Sequence, residues 1–149
     1  MEQTSEALDV LERATAVLVR NFELLRRRTD VYAELDQAEY LLLRTLDGLG
    51  SADIGTLAGA LGLDPSTAGR QVSALLGKDL VERSHASDDR RRCVITPTER
   101  GRELMHLTRA RRRSSVGDLL DDWTPDEVRA FAGFLDRYNA AVARKYLRA

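Results

Sequence analysis

Cysteine is almost absent from this chain: Cys93 is the single one in 149 residues. An internal disulfide framework is therefore excluded, which fits a reducing compartment. One thiol and two histidines, scattered in sequence, also make a poor case for a metal site. Proline (3) and glycine (10) are too scarce for long disordered linkers. No apolar run approaches the roughly 18 residues that a membrane span needs, and the opening Met1-Glu2-Gln3-Thr4-Ser5-Glu6 is acidic and polar, unlike a signal peptide. Also missing are a glycine-rich phosphate loop and a nucleophile with a base beside it. The expectation is a cytoplasmic, non-membrane, non-enzymatic protein with no catalytic residues, metal or cofactor. Its length suits one domain over residues 1–149.

What is present is an uneven charge distribution. The formal net charge of −1 hides a basic centre. Residues 64–113 hold twelve Lys/Arg against seven Asp/Glu, a surplus of +5, and the remainder of the chain carries −6. Since each charge is screened over roughly 8 Å at physiological salt, such a centre can neutralise phosphates locally within a near-neutral protein.

Hydrophobic periodicity places a long helix over residues 6–28. Leu8, Leu11, Thr15, Leu18, Phe22 and Leu25 form one stripe, and Val10, Ala14, Val17, Asn21 and Leu24 a second beside it. Two stripes are more than one small core requires, and packing against a partner chain is the natural reason. Asp36-Gln37-Ala38-Glu39 opens the next helix as a capping box, which stops at Gly48-Leu49-Gly50. Short helices follow over 54–61 and 65–77. Short strands are expected over 80–83 and 93–96, then a helix capped by Thr98 that reaches about residue 121. Thr124-Pro125-Asp126-Glu127 starts the last helix, with Val128, Phe131, Leu135, Tyr138 and Val142 on one stripe.

The centre of the chain carries the functional signal. Ile54, Leu57, Ala58 and Leu61 give the first short helix an inward face; Gly62 ends it with a positive φ, and Leu63 plugs the corner. Asp64 is the expected cap of the second helix, with Pro65 at its first position. Ala68, Val72, Leu75 and Leu76 point inward, which leaves Ser66, Thr67, Gly69, Arg70, Gln71, Ser73 and Ala74 outward. No acid stands between Pro65 and Lys78. Such a surface suits the major groove: small residues allow close approach, hydroxyls bond phosphates, Arg70 matches guanine O6/N7, and Gln71 reaches adenine or phosphate. Between the strands lies Asp88-Asp89-Arg90-Arg91-Arg92. An Asp there can brace the hairpin while Arg90, Arg91 and Arg92 reach phosphate and the narrow minor groove of A·T-rich DNA.

Leu57-Ala58, Leu61-Gly62-Leu63, Ser66-Thr67, Arg70, Leu75, Leu80-Val81-Glu82-Arg83, Asp89-Arg90-Arg91 and Thr98-Glu99-Arg100-Gly101-Arg102 stand in the order of the MarR family of bacterial transcription regulators. The chain resembles that family over nearly its whole length, most specifically from Asp89 to Gly101. The resemblance implies a mainly α fold with a small β-hairpin wing. In that fold a winged helix-turn-helix over about 51–97 lies between dimerisation helices over about 6–28 and 124–147. It also implies a homodimer with Ser66, Thr67, Arg70 and Gln71 on the recognition helix and Arg91 at the wing tip. With the outward Ser73 added to the DNA-binding candidates, the expected function is a homodimeric repressor that reads a pseudo-palindromic operator in double-stranded DNA.

Two positions depart from the family pattern. Asp79 replaces a usual glycine before the Leu-Val strand, where a left-handed conformation is wanted. Pro97 replaces a usual leucine before the capping Thr98, and the second strand is expected to end at Thr96. Many members also release DNA when a small, often aromatic or phenolic, effector binds between the dimer platform and the reading head. Tyr32, Tyr40 and His106 could line such a pocket or simply belong to the core. Cys93 sits on the wing, away from the N-terminal helix where the family's thiol sensors carry theirs. The competing reading, a winged-helix protein-interaction module without DNA binding, would predict loss of the basic and hydroxyl residues that this chain retains.

Overall fold

The computed structural model describes residues 1–147. The order is α1 (Glu2–Arg28), α2 (Gln37–Leu49), α3 (Ile54–Leu61), α4 (Pro65–Gly77), β1 (Val81–His85), β2 (Cys93–Pro97), α5 (Glu99–Leu119) and α6 (Pro125–Tyr146). The chain falls into two compact units, Met1–Ala33 and Glu34–Ala149. The first is essentially α1, which begins four residues earlier than its apolar stripes suggest. Nothing in residues 2–5 breaks a helix, and Glu2 in the first turn suits the positive end of the helix dipole.

Within the second unit, α2 starts with the expected capping box: Asp36 accepts from the Glu39 N–H (2.8 Å), and Glu39 accepts from the Asp36 N–H (3.0 Å). Its Leu42, Leu43 and Leu46 join Leu35, Leu57, Val72, Leu75, Val81, Ile95 and Met105 in a core buried to 2% exposure or less. Burial of each such leucine contributes about 1.5–3 kcal/mol. α3 ends at Gly62 (φ 67°). Glycine is required there twice over, since a Cβ at Gly62 would fall 2.1 Å from Leu147 Cδ2 just beyond α6. Asp64 stands at the N-cap position of α4, yet its side chain makes no capping bond, contrary to expectation. Pro65 supplies no N–H and presets the helical φ, so this start leans less on a side-chain acceptor.

The hairpin pairs β1 and β2 antiparallel in the register Val81↔Pro97, Arg83↔Ile95 and His85↔Cys93. Pro97 is thus a strand residue, which corrects the expected end at Thr96. In an antiparallel ladder only alternate pairs exchange N–H···O bonds. Thr98 N–H donates to Leu80 O (3.1 Å) and Ala86 N–H to Arg92 O (2.8 Å), which makes Val81↔Pro97 and His85↔Cys93 non-hydrogen-bonded pairs. The proline therefore sits where no N–H is needed. On its other edge Ile95 exchanges two bonds with Ala52 (3.1 and 2.8 Å), tying the strand to the residue two before α3.

The junction between α4 and the hairpin is tight. Asp79 adopts φ 59°, so the left-handed turn survives without glycine. Thr98 Oγ1 donates to Asp79 O (2.8 Å) and accepts from the Gly101 N–H (3.0 Å). A Cβ on Gly101 would lie 2.0 Å from Leu80 O. That glycine is where α5 presses against the backbone leaving α4. α6 opens with the predicted capping box, Thr124 with Glu127. No helix among the described residues is long and apolar enough to cross a membrane.

Candidate nucleic-acid interface

The inward face of α4 is Ala68, Val72 and Leu75, all buried. Helical geometry then turns Ser66, Arg70 and Ser73 out to solvent and leaves Thr67 and Gln71 at the margin. Arg70 Nη2 donates to Thr67 Oγ1 (3.1 Å), an i,i+3 contact that restrains the guanidinium along the helix surface. Of the five residues expected on this helix, three are thus exposed and two half-buried at the edge of the outer side. Leu76, expected inward, is only half-buried.

At the wing the three arginines differ. Asp89 is the brace: its Oδ1 accepts from the Arg91 N–H (2.9 Å), and its carbonyl accepts from the Arg92 N–H (3.1 Å). These bonds shape the backbone of the tip and leave the Arg90 and Arg91 side chains exposed, with no carboxylate partner among the described residues. Arg92 is exposed as well, but its Nη2 lies 3.4 Å from Asp88 Oδ1. The hairpin is fixed relative to α4 by the Asp79–Thr98 bond and by Gly101 against Leu80, and relative to α3 by the Ala52–Ile95 pair.

Three supporting residues were not anticipated. Asp53 caps α3 by accepting from the Thr56 N–H (2.7 Å). That bond holds its carboxyl below the usual aspartate range, with a smaller pull from the Arg92 charge. Its signal, an Asp immediately before the periodic residues of a helix, was present in the sequence. Ala52 carries no side-chain signal for its pairing with Ile95. Lys78, counted within the basic centre, is turned onto Glu39, with Nζ 2.5 Å from Oε2.

Tyr40 is core-like at 9% exposure and carries the Arg112 guanidinium 5.2 Å over its ring. Tyr32 is half-buried and His106 exposed. Cys93 is an exposed free thiol on β2. No group of three or more His, Cys, Asp or Glu gathers among the described residues.

A family model of the MarR family matches residues 35–93, the span from Leu35 through the helix-turn-helix and the wing tip. An HTH-type transcriptional regulator of Bacillus subtilis (strain 168), YxaD, is 30% identical over 139 residues, 93% of this chain and 97% of the relative. This chain belongs to the MarR family. A second B. subtilis HTH-type regulator, YhbI, is 29% identical over 110 residues, 72% of this chain and 71% of its own length. Among solved structures, RV1404 from Mycobacterium tuberculosis superposes with a TM-score of 0.73 at 25% identity, covering 89% of this chain and 94% of its own. A cysteine-to-serine mutant of MarR from E. coli, solved in complex with operator DNA, gives 0.69 at 19% identity, covering 86% and 92%. The fold is accordingly the winged helix of MarR regulators, mainly α with one two-stranded wing, and the family is one of transcriptional regulators rather than enzymes.

Proposed function

We propose that this MarR-family protein is a cytoplasmic homodimeric repressor that reads a pseudo-palindromic operator in double-stranded DNA and is released by a small aromatic or phenolic effector. The observation that carries the DNA-reading part is the acid-free outer side of α4 beside an arginine wing. Ser66, Thr67, Arg70, Gln71 and Ser73 form the major-groove surface; Arg90, Arg91 and Arg92 form the wing surface. Thr67 and Ser66 bond phosphate near the helix start, where the helix dipole also favours an anion. Arg70 reads a base edge, and Arg91 enters the minor groove.

The homodimer part is supported by apolar side chains left in water on both long helices. On α1 these include Leu8 (59% exposed), Leu11 and Phe22; on α6 they include Phe131, Phe134 (65%) and Tyr138. Exposed apolar surface of this extent marks an association face. Two-fold symmetry then sets half-sites about 34–36 Å apart, one turn of the duplex. Selection of bound sequences from random duplex DNA tests the reading as a whole. A symmetric site of that spacing is expected, with log K falling steeply against log salt. A lone asymmetric half-site would remove the dimer, and salt-independent binding would remove the phosphate contacts.

A further inference from the structure

Resting on the DNA-reading proposal, we infer that Glu39 is a positioning residue for the recognition helix: by gripping Lys78 it holds the far end of α4 against the start of α2. The Glu39 carboxylate does two jobs with two oxygens. Oε1 accepts from the Asp36 N–H (3.0 Å) and so completes the cap of α2, while Oε2 accepts from Lys78 Nζ (2.5 Å). The two residues are 39 positions apart, so the contact joins two helices rather than decorating one. Glu39's side chain is 13% exposed against 55% for Lys78. The carboxylate is therefore a shielded, fixed anchor and the ammonium the arm that reaches it. The Lys78 ammonium is held above its ordinary range by that bond.

Lys78 is the C-cap residue of α4, and the next residue is pinned by Thr98 through Asp79 O. The end of α4 is thus held from two sides, by α2 through a charge pair and by the start of α5 through a hydroxyl. Arg70 lies about two helical turns before Lys78, so a shift at the clamp tilts the residues that face the groove. Base readout needs its donors aimed to a fraction of an ångström, whereas phosphate attraction tolerates a tilt. Loss of the clamp therefore lowers specific binding and spares non-specific binding.

The test uses the full chain, its selected operator, and a random duplex of equal length. Glu39→Gln keeps an acceptor for the Asp36 N–H and removes the charge that holds Lys78; Lys78→Met keeps the stem and removes the ammonium. Each is expected to weaken operator binding about three- to fivefold, the size of one partly shielded ion pair. Random-duplex affinity and the slope of log K against log salt should stay unchanged. The double variant should match either single one, and Lys78→Arg should restore wild-type behaviour. Circular dichroism and melting of each variant keep misfolding apart from mispositioning. A salt slope reduced by about one ion in Lys78→Met would make Lys78 a phosphate contact and overturn the inference. Higher random-duplex affinity in Glu39→Gln would make Glu39 a mask for Lys78, and unchanged operator affinity would make the pair irrelevant; both also overturn it. If the wild-type chain binds neither duplex, the DNA-reading proposal fails instead.

Discussion

Thr108 is fully buried on α5, and its hydroxyl has no hydrogen-bond partner among the described residues. A buried, unsatisfied hydroxyl costs free energy that an isosteric methyl does not. Thr108→Val should therefore raise stability by about 1 kcal/mol, read as a higher urea midpoint with an unchanged slope. The arginines proposed to face DNA are expected to act in the opposite sense, through function rather than stability. Arg70→Ala should cost about 1–3 kcal/mol of operator binding and relax preference at one base position. Arg91→Ala should weaken binding mainly at A·T-rich flanks, where a narrow groove concentrates negative potential. Gel-shift titrations of both variants against matched and substituted sites decide this, and unchanged affinities would count against the assigned surfaces. The exposure of Arg70 was legible in sequence because it follows from spacing on a short amphipathic helix, and that of Arg91 because a charged run between two strands marks a hairpin tip.

At the scale of elements, the caps and glycines carry the consequences. Asp53 starts α3, and losing such a cap costs about 1 kcal/mol. Its carboxyl is held below the ordinary aspartate value, so its contribution is present above that value, near 3.9, and is lost as pH falls through the lower folded-state value. The melting-temperature gap between the protein and Asp53→Ala should accordingly be steady from neutral pH to about 5 and narrow once pH drops below about 4. Gly101→Ala drives a methyl into Leu80 O and should destabilise by about 1–3 kcal/mol, measured by thermal melting. The sequence marked nearly every helix correctly because helix starts and stops are written within three or four residues. It missed the role of Pro97, since whether a proline disrupts a strand depends on which pairs of the ladder exchange hydrogen bonds. That is a property of register with β1, and residue 97 alone does not contain it. Asp64 shows the reverse case, a proper capping residue in the proper place whose side chain makes no capping bond.

For the whole molecule, the proposed homodimer rests on the long helices, which would set how many reading heads act together. None of the residues of α1 or α6 is buried in a single chain, although both carry apolar stripes. Replacing Leu11 and Phe134 together with Asp should convert the proposed dimer to a monomer in sedimentation equilibrium and reduce operator binding to that of a single half-site. Val19→Asp, exposed but off both α1 stripes, should leave the dimer intact. A monomeric wild-type protein at micromolar concentration would remove the dimer proposal outright.

The sequence by itself determined the order of the elements, the helix-turn-helix, the wing and its three arginines. Each of these rests on periodicity, turn residues and caps, which act over a few neighbours. Only the tertiary structure decided what the basic centre does with its charge. It turned Lys78 onto Glu39, brought Arg92 beside Asp88, bonded Ala52 to Ile95, and set Gly101 against Leu80. Most of those contacts join residues far apart in the chain, and a charge reveals whether it faces a groove or a neighbour only when the surfaces around it have folded.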